Sequence, residues 1–250
     1  MNLREELALA QEMARAAGDC LRHTASNEIL SSEGKDIKLR ADQESEAIIL
    51  EGLAASSYAI LAEESGEHGS LDGDAPVWIV DPLDGSMNYS RKAPLYCVSI
   101  ALWAGPGPLL GVIYDVERDE MFSAITGEGA RCNDQAIGVS AVDDPGNAIL
   151  VTGFPSKRDF SADSIGEFVE RARRFKKVRM LGTAALMLAW VACGRADFYM
   201  EDDIMLWDVA AGIALVQAAG GCVAIDRSPR HKWARLVRCA STQALLDQQS

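Results

Sequence analysis

The chain has 250 residues, 48% of them hydrophobic, enough to bury a large core in one compact unit or two tight halves. Its formal net charge is −13, which argues against nucleic acid or an anionic membrane surface as the main partner. Such acidity also suits phosphate poorly unless bound cations invert the local field.

In chain order, Leu3, Leu7, Ala10, Ala14, Ala17 and Leu21 recur at helical spacing and predict a core-facing first helix, with Met1 to Glu6 opening that helix rather than a signal peptide. The stretch 31–36, rich in Ser, Glu and Gly, reads as a loop, and 42–55 as a second helix with Asp42 as its N-cap. Strand-like runs follow at 58–62, 77–80, 96–103, 109–114 and 120–124, the last three punctuated as hairpins by Gly105 to Pro108 and Glu117 to Asp119. This half reads as α+β with an antiparallel sheet.

The second half alternates. Strands are expected at 148–151, 197–200, 222–225 and 235–240, and helices at 164–173, 183–193 and 209–219. That pattern predicts an α/β layer. The polar, turn-rich segment 133–144 marks a join, dividing the chain into 1–138 and 139–250. The basic run 171–177 reads as a solvated helix end beside the C-terminal dipole. The longest apolar stretch, 184–193, is too short to span a bilayer. Six scattered cysteines form no C-x-x-C pair and no zinc-ligand spacing. Reduced thiols in a cytoplasmic protein are the simplest account.

The chemistry centres on Asp81-Pro82-Leu83-Asp84-Gly85-Ser86, directly after the apolar run Val77 to Val80. Two carboxylates three residues apart, in a proline-fixed turn at a strand end, can grip hard divalent cations. Backbone N–H groups where Gly85 and Ser86 start a short helix can receive an anion. Taken alone, turn chemistry also explains the segment, since Asp-Pro and Asp-Gly are common turn formers and Asp84 is a good N-cap. Two further acidic groups change the balance. Glu63-Glu64 follows the run 58–60, and Glu201-Asp202-Asp203 precedes a helix near Asp208. Separately, the first reads as a solvated loop and Asp208 as an N-cap. Together the three point to metal-assisted phosphate ester hydrolysis. An aspartyl-phosphate enzyme wants D-x-D instead, and Ser86 has no His partner for a triad. A glycosidase pair needs no phosphate-receptive glycine and hydroxyl beside it.

Glu63-Glu64-Ser65, Asp81 to Tyr89 and Trp207-Asp208-Val209-Ala210-Ala211-Gly212 resemble, in order and spacing, the three signature motifs of the inositol monophosphatase family. The likeness extends over nearly the whole chain. It implies a layered α-β-α-β-α sandwich of the inositol monophosphatase and fructose-1,6-bisphosphatase type. It also implies a Mg²⁺-dependent phosphatase, with two or three Mg²⁺ per site, that hydrolyses a small phosphorylated polyol or sugar by a metal-activated water. Inositol monophosphate is the leading substrate, with nucleotide 3′-phosphates or histidinol phosphate as alternatives, and a non-catalytic binding or regulatory homologue as a different class. By the same resemblance Glu63, Asp81, Asp84, Asp208 and the Leu83 carbonyl are metal ligands. Glu63, Ser86 and Asp42 are catalytic, with Asp42 backing the Ser86 hydroxyl, where Thr is usual in the family. Gly85, Ser86, Ala184, Glu201 and Asp208 contact substrate, with Asp202 and Asp203 as alternatives to Glu201. Lys35 is a candidate in a nearby loop, equally read as a solvated surface charge. Lithium sensitivity and a homodimer are expected on the same ground, and no nucleic-acid or membrane partner.

Overall fold

The computed structural model describes residues 2–24, 28–33, 36–71, 73, 75–156 and 158–248. Helix α1 (Leu3–His23) starts at Asn2, whose side chain accepts from the Arg4 N–H, and buries Ala10, Ala14, Ala17 and Leu21 as the spacing predicts. The segment read as a loop is instead part of an antiparallel hairpin, β1 (Ile29–Glu33) with β2 (Asp36–Leu39). Its Ser31 and Ser32 are exposed, so no apolar alternation announces the pairing. Lys35 lies outside the described residues. Helix α2 (Arg40–Leu53) begins earlier than expected. Leu39 is the N-cap, and Asp42 sits three positions inside the helix, its carboxylate accepting from the Leu39 N–H. Asp42 is therefore the returning partner of a capping box rather than the cap itself.

Eight strands then build one sheet: β3 (Ala59–Ala62), β4 (Gly66–His68), β5 (Val77–Asp84), β6 (Cys97–Ala104), β7 (Gly107–Asp115), β8 (Glu120–Ile125), β9 (Gly129–Cys132) and β10 (Gln135–Ile137). The spatial order is β10-β9-β8-β7-β6-β5-β3-β4. Neighbours are antiparallel, as expected, except β3 and β5, which run parallel. Strand β5 continues through the acidic motif, and α3 (Ser86–Ser90) follows it after Gly85. Asp81 and Asp84 thus belong to the end of a strand rather than to a turn beyond it.

The second sheet has five strands in the order β12-β11-β13-β15-β14. The elements are β11 (Ile149–Thr152), α4 (Ala162–Ala172), β12 (Lys177–Arg179), α5 (Ala184–Ala192), β13 (Phe198–Met205), α6 (Leu206–Ala218), β14 (Cys222–Arg227), β15 (Ala234–Ala240) and α7 (Gln243–Asp247). Strand β11 pairs parallel with β12 and β13, and β15 pairs antiparallel with β13 and β14. The basic run read as a helix end passes into β12 at Lys177.

Alternating side chains sort into layers. Trp78, Val80, Ile100, Val112 and Tyr114 of the large sheet pack with α1 and α2. Ile79, Ala101, Ile113 and Phe122, on its other face, pack with α5 and α6, which also meet Tyr199, Val237 and Cys239 of the small sheet. Leu150, Phe198 and Met200 face Phe168 of α4 and Leu245 of α7. The result is the α-β-α-β-α sandwich. Helices α5 and α6 are buried on nearly all sides, which their almost uninterrupted apolar sequences permit. All six cysteines are free thiols. No helix among the described residues is long and apolar enough to cross a membrane.

Candidate metal centre and active site

The acidic residues meet where the two sheets share α6. The parallel register places Ala62 beside Val80, so Glu63, just past the end of β3, comes beside Asp81 of β5. The Glu63 N–H donates to the Val80 carbonyl at 3.1 Å and fixes that adjacency. Residues three apart on a regular strand point to opposite faces. A bulge between Asp81 and Asp84, which pair with Ser99 and Cys97, removes that constraint, so both carboxylates turn to one side. The bulge is held locally: the Asp81 carboxylate accepts from the Leu83 N–H at 3.0 Å, and Ser45 Oγ donates to the Pro82 carbonyl at 2.7 Å. Gly85 then turns the chain with φ 96°, and a Cβ there would lie 2.8 Å from the Leu95 carbonyl oxygen.

Asp208 arrives from α6. Met205 is the N-cap, so Asp208 lies three positions inside the helix, and its carboxylate accepts a hydrogen bond from the Met205 backbone. It is therefore not the N-cap. Ligand oxygens of Glu63, Asp81 and Asp208 all lie within 4.8 Å of one another. Three carboxylates cannot sit that close and all ionise cheaply. Withdrawal from water, reinforced by the neighbouring acids, pushes Glu63 up to about 8 and drives Asp81 and Asp208 well above the carboxylate range. This hard-oxygen donor set fits a divalent cation such as Mg²⁺, whose charge relieves the crowding.

Asp84 lines the same cavity but its Oδ2 is already engaged. Thr183 Oγ1 donates to it at 2.6 Å and the Ala185 N–H at 2.7 Å. Burial raises Asp84 to about 6 even against these donors. Ser86 Oγ lies 2.9 Å from Asp42 Oδ1 and 3.0 Å from the Leu83 carbonyl oxygen. Asp42, buried, is raised to about 6, first by desolvation and against the hydrogen bonds from Leu39 and Ser86.

The cavity, about 250 Å³, is walled by Glu63, Asp84, Gly153, Phe154, Ala184, Glu201 and Asp208 among others. Glu201 is buried to 5% exposure and raised to about 8, mainly by desolvation and then by Asp84. Gly153 admits it: a Cβ at that position would meet Glu201 Oε1 at 2.7 Å. Asp202 points to Arg158 and Arg238, and Asp203 receives the Ser228 hydroxyl. Neither takes the place of Glu201 against the cavity in that network, although Asp203 touches its wall.

Three supporting residues escaped the sequence reading. Thr183 orients Asp84 as described. Glu46, buried, accepts from the Glu64 N–H at 2.9 Å and so steadies the chain next to Glu63. Lys38 pairs with Glu64 at 3.0 Å, and that bond raises its pKa despite partial burial. Each depends on contacts across 18 to 99 residues, which no local spacing marks.

Fold and site together define a layered α-β-α-β-α sandwich with a candidate carboxylate metal centre where its two sheets share α6. The sequence matches the inositol monophosphatase family over residues 2–248. It is 40% identical over 235 residues to inositol-1-monophosphatase of Synechocystis sp., covering 91% of this chain and 82% of that one. It is 41% identical over 217 residues to Nus factor SuhB of Xylella fastidiosa, covering 84% and 78%. The fold superposes on the inositol monophosphatase of Anabaena (Nostoc) sp. PCC 7120 with a TM-score of 0.84 and 37% identity, over 99% and 97% of the two chains. The extragenic suppressor protein suhB of Bartonella henselae gives 0.86 at 31% identity, over 98% and 97%. The chain belongs to the inositol monophosphatase family.

Proposed function

We propose that this chain is a Mg²⁺-dependent phosphomonoesterase acting on a small phosphorylated polyol or sugar, with inositol monophosphate the leading case. The convergence of Glu63, Asp81 and Asp208 within 4.8 Å carries this reading. In it, Glu63, Asp81, Asp84, Asp208 and the Leu83 carbonyl hold Mg²⁺, drawn from both halves of the chain, 1–138 and 139–250. When bound, the metal activates a water as nucleophile and stabilises charge on the phosphoryl and leaving oxygens.

The chain's own groups do the rest. Asp42 accepts the Ser86 hydroxyl proton in a hydrogen bond, leaving a Ser86 lone pair to orient the attacking water. Backbone N–H groups at Gly85 and Ser86 meet phosphoryl oxygens. Glu201, whose carboxylate receives no side-chain or backbone donor among the described residues, accepts from substrate hydroxyls beside Ala184. Lithium sensitivity, a homodimer and a cytoplasmic setting enter this proposal through family membership, and the charge of −13 supports a small substrate over nucleic acid. The 41% identity to a protein named as a Nus factor favours one second reading, a regulatory role for the same fold. A phosphate-release panel of inositol, hexose, nucleotide and histidinol phosphates in Mg²⁺ tests the two. Turnover led by inositol monophosphate is expected. Release from another member names a different substrate, and release from none leaves the regulatory reading.

A further inference from the structure

The small sheet ends in an arrangement that core formation does not explain. On the inner face of β14 and β15, Val223 pairs with Cys239 and Ile225 with Val237, all packed against the central helical layer. The next pair in the same alternation is Arg227 opposite Arg235. Two guanidiniums therefore face each other across an antiparallel ladder, where like charges repel. They continue the alternation of the apolar face past its packed part, with Arg227 exposed and Arg235 partly buried. Arg235 is half-buried, and its pKa is lowered by burial and by Arg227. Its side chain donates only to the backbone carbonyls of Lys232 and Ala234. Among the described residues, no carboxylate pairs with either arginine, in a chain carrying thirteen excess negative charges.

Both arginines line a cleft of about 300 Å³ whose other walls include Trp103, Trp233, Leu61 and Ile79. That volume is at the lower end of small-molecule sites. Lys232 lies 4.4 Å from the Trp233 ring centroid and pairs with Glu67 at 2.7 Å, so it braces the indole from outside the cleft. The cleft shares no lining residue with the carboxylate cavity. Leu61 and Ile79 stand two residues before Glu63 and Asp81 on the same strands, so an apolar partition separates the two sites.

We propose that this cleft is a second binding site, for a small amphiphilic anion with a flat apolar body and a carboxylate or phosphate head. The indoles and aliphatic wall receive the body. The paired guanidiniums, a fork geometry matched to planar anions, receive the head and lose their mutual repulsion.

Calorimetric titration of the magnesium-free full chain tests this with naphthoate, naphthalenephosphonate, neutral naphthamide and inorganic phosphate. Without metal, the carboxylate cavity repels anions. One equivalent of naphthoate or naphthalenephosphonate is expected to bind, and the tighter of the two identifies the natural head group. Naphthamide and inorganic phosphate should each bind about tenfold or more weakly, as charged hydrogen bonds or apolar burial are lost. Arg227→Gln and Arg235→Gln should each weaken naphthoate about tenfold or more. Arg227 is exposed, so Arg227→Gln should keep the wild-type melting temperature and the wild-type turnover of p-nitrophenyl phosphate in Mg²⁺. No binding at millimolar concentration, equal binding of naphthamide, or unchanged binding in both variants overturns the proposal.

Discussion

Removing the metal and raising the pH should unfold this protein more easily. Glu63 and Glu201 titrate at about 8 and Asp84 at about 6, while Asp81 and Asp208 lie well above their ordinary value, all principally through burial. In the unfolded chain the same groups ionise near pH 4. Between these limits the folded state binds more protons than the unfolded one, so stability falls as pH rises. The slope is about 1.4 kcal/mol per pH unit for each such proton. Counting one proton for the carboxylate trio and one for Glu201 gives on the order of 4 kcal/mol between pH 6 and 8. For a chain of this length that is a drop of roughly 10 °C in melting temperature. Saturating Mg²⁺ favours the ionised trio and should remove its share, leaving about half the slope. Glu201→Gln should remove the other half. Circular dichroism melts at pH 6, 7 and 8, in EDTA and in Mg²⁺, measure all of this. A metal-free melting temperature that holds steady or rises over this range, or a slope that Mg²⁺ leaves unchanged, would refute the reasoning.

Above pH 8, where Glu201 is ionised, Glu201→Gln should also lower kcat/KM for polyol phosphates about tenfold to a hundredfold more than for p-nitrophenyl phosphate, the cost of one charged acceptor bond; equal losses would place Glu201 outside substrate recognition. Gly153→Ala should reproduce part of that selective loss, because the new Cβ would lie 2.7 Å from Glu201 Oε1 and must displace it; wild-type kinetics on both substrates would contradict the contact. Thr183→Val removes the 2.6 Å bond to Asp84 and the cap of α5. It should cost about 1 kcal/mol of stability and weaken Mg²⁺ severalfold in calorimetry, whereas unchanged Mg²⁺ affinity would show that Asp84 needs no such support.

Much of the site could be read from local sequence because its chemistry is concentrated in short segments. Asp81 to Ser86 and Trp207 to Gly212 each bring candidate ligands and their backbone setting together, so type and spacing marked them. Long buried elements were legible for the same reason: α1 has its stripe, and α5 and α6 have unbroken apolar runs. What failed was short, polar or conditional on distant contacts. The hairpin β1–β2 and the short strands β4, β9, β10 and β12 have three to five residues each with little apolar alternation. Asp42 reads locally as the cap of its helix, and Asp208, judged separately, reads as one too. Each lies three residues further in and returns a bond to a cap residue with no polar side chain, Leu39 or Met205. Thr183 carries no local signal of its role, because its bond to Asp84 spans 99 residues.

Phosphate release from inositol monophosphate by the metal-stripped protein, before and after Mg²⁺ is restored, tests the central claim most directly when run beside Asp208→Asn. The trio within 4.8 Å predicts no release without metal, recovery with Mg²⁺, and a loss of several orders of magnitude in the variant. Full turnover in the metal-free protein, or wild-type turnover by Asp208→Asn in Mg²⁺, would contradict it.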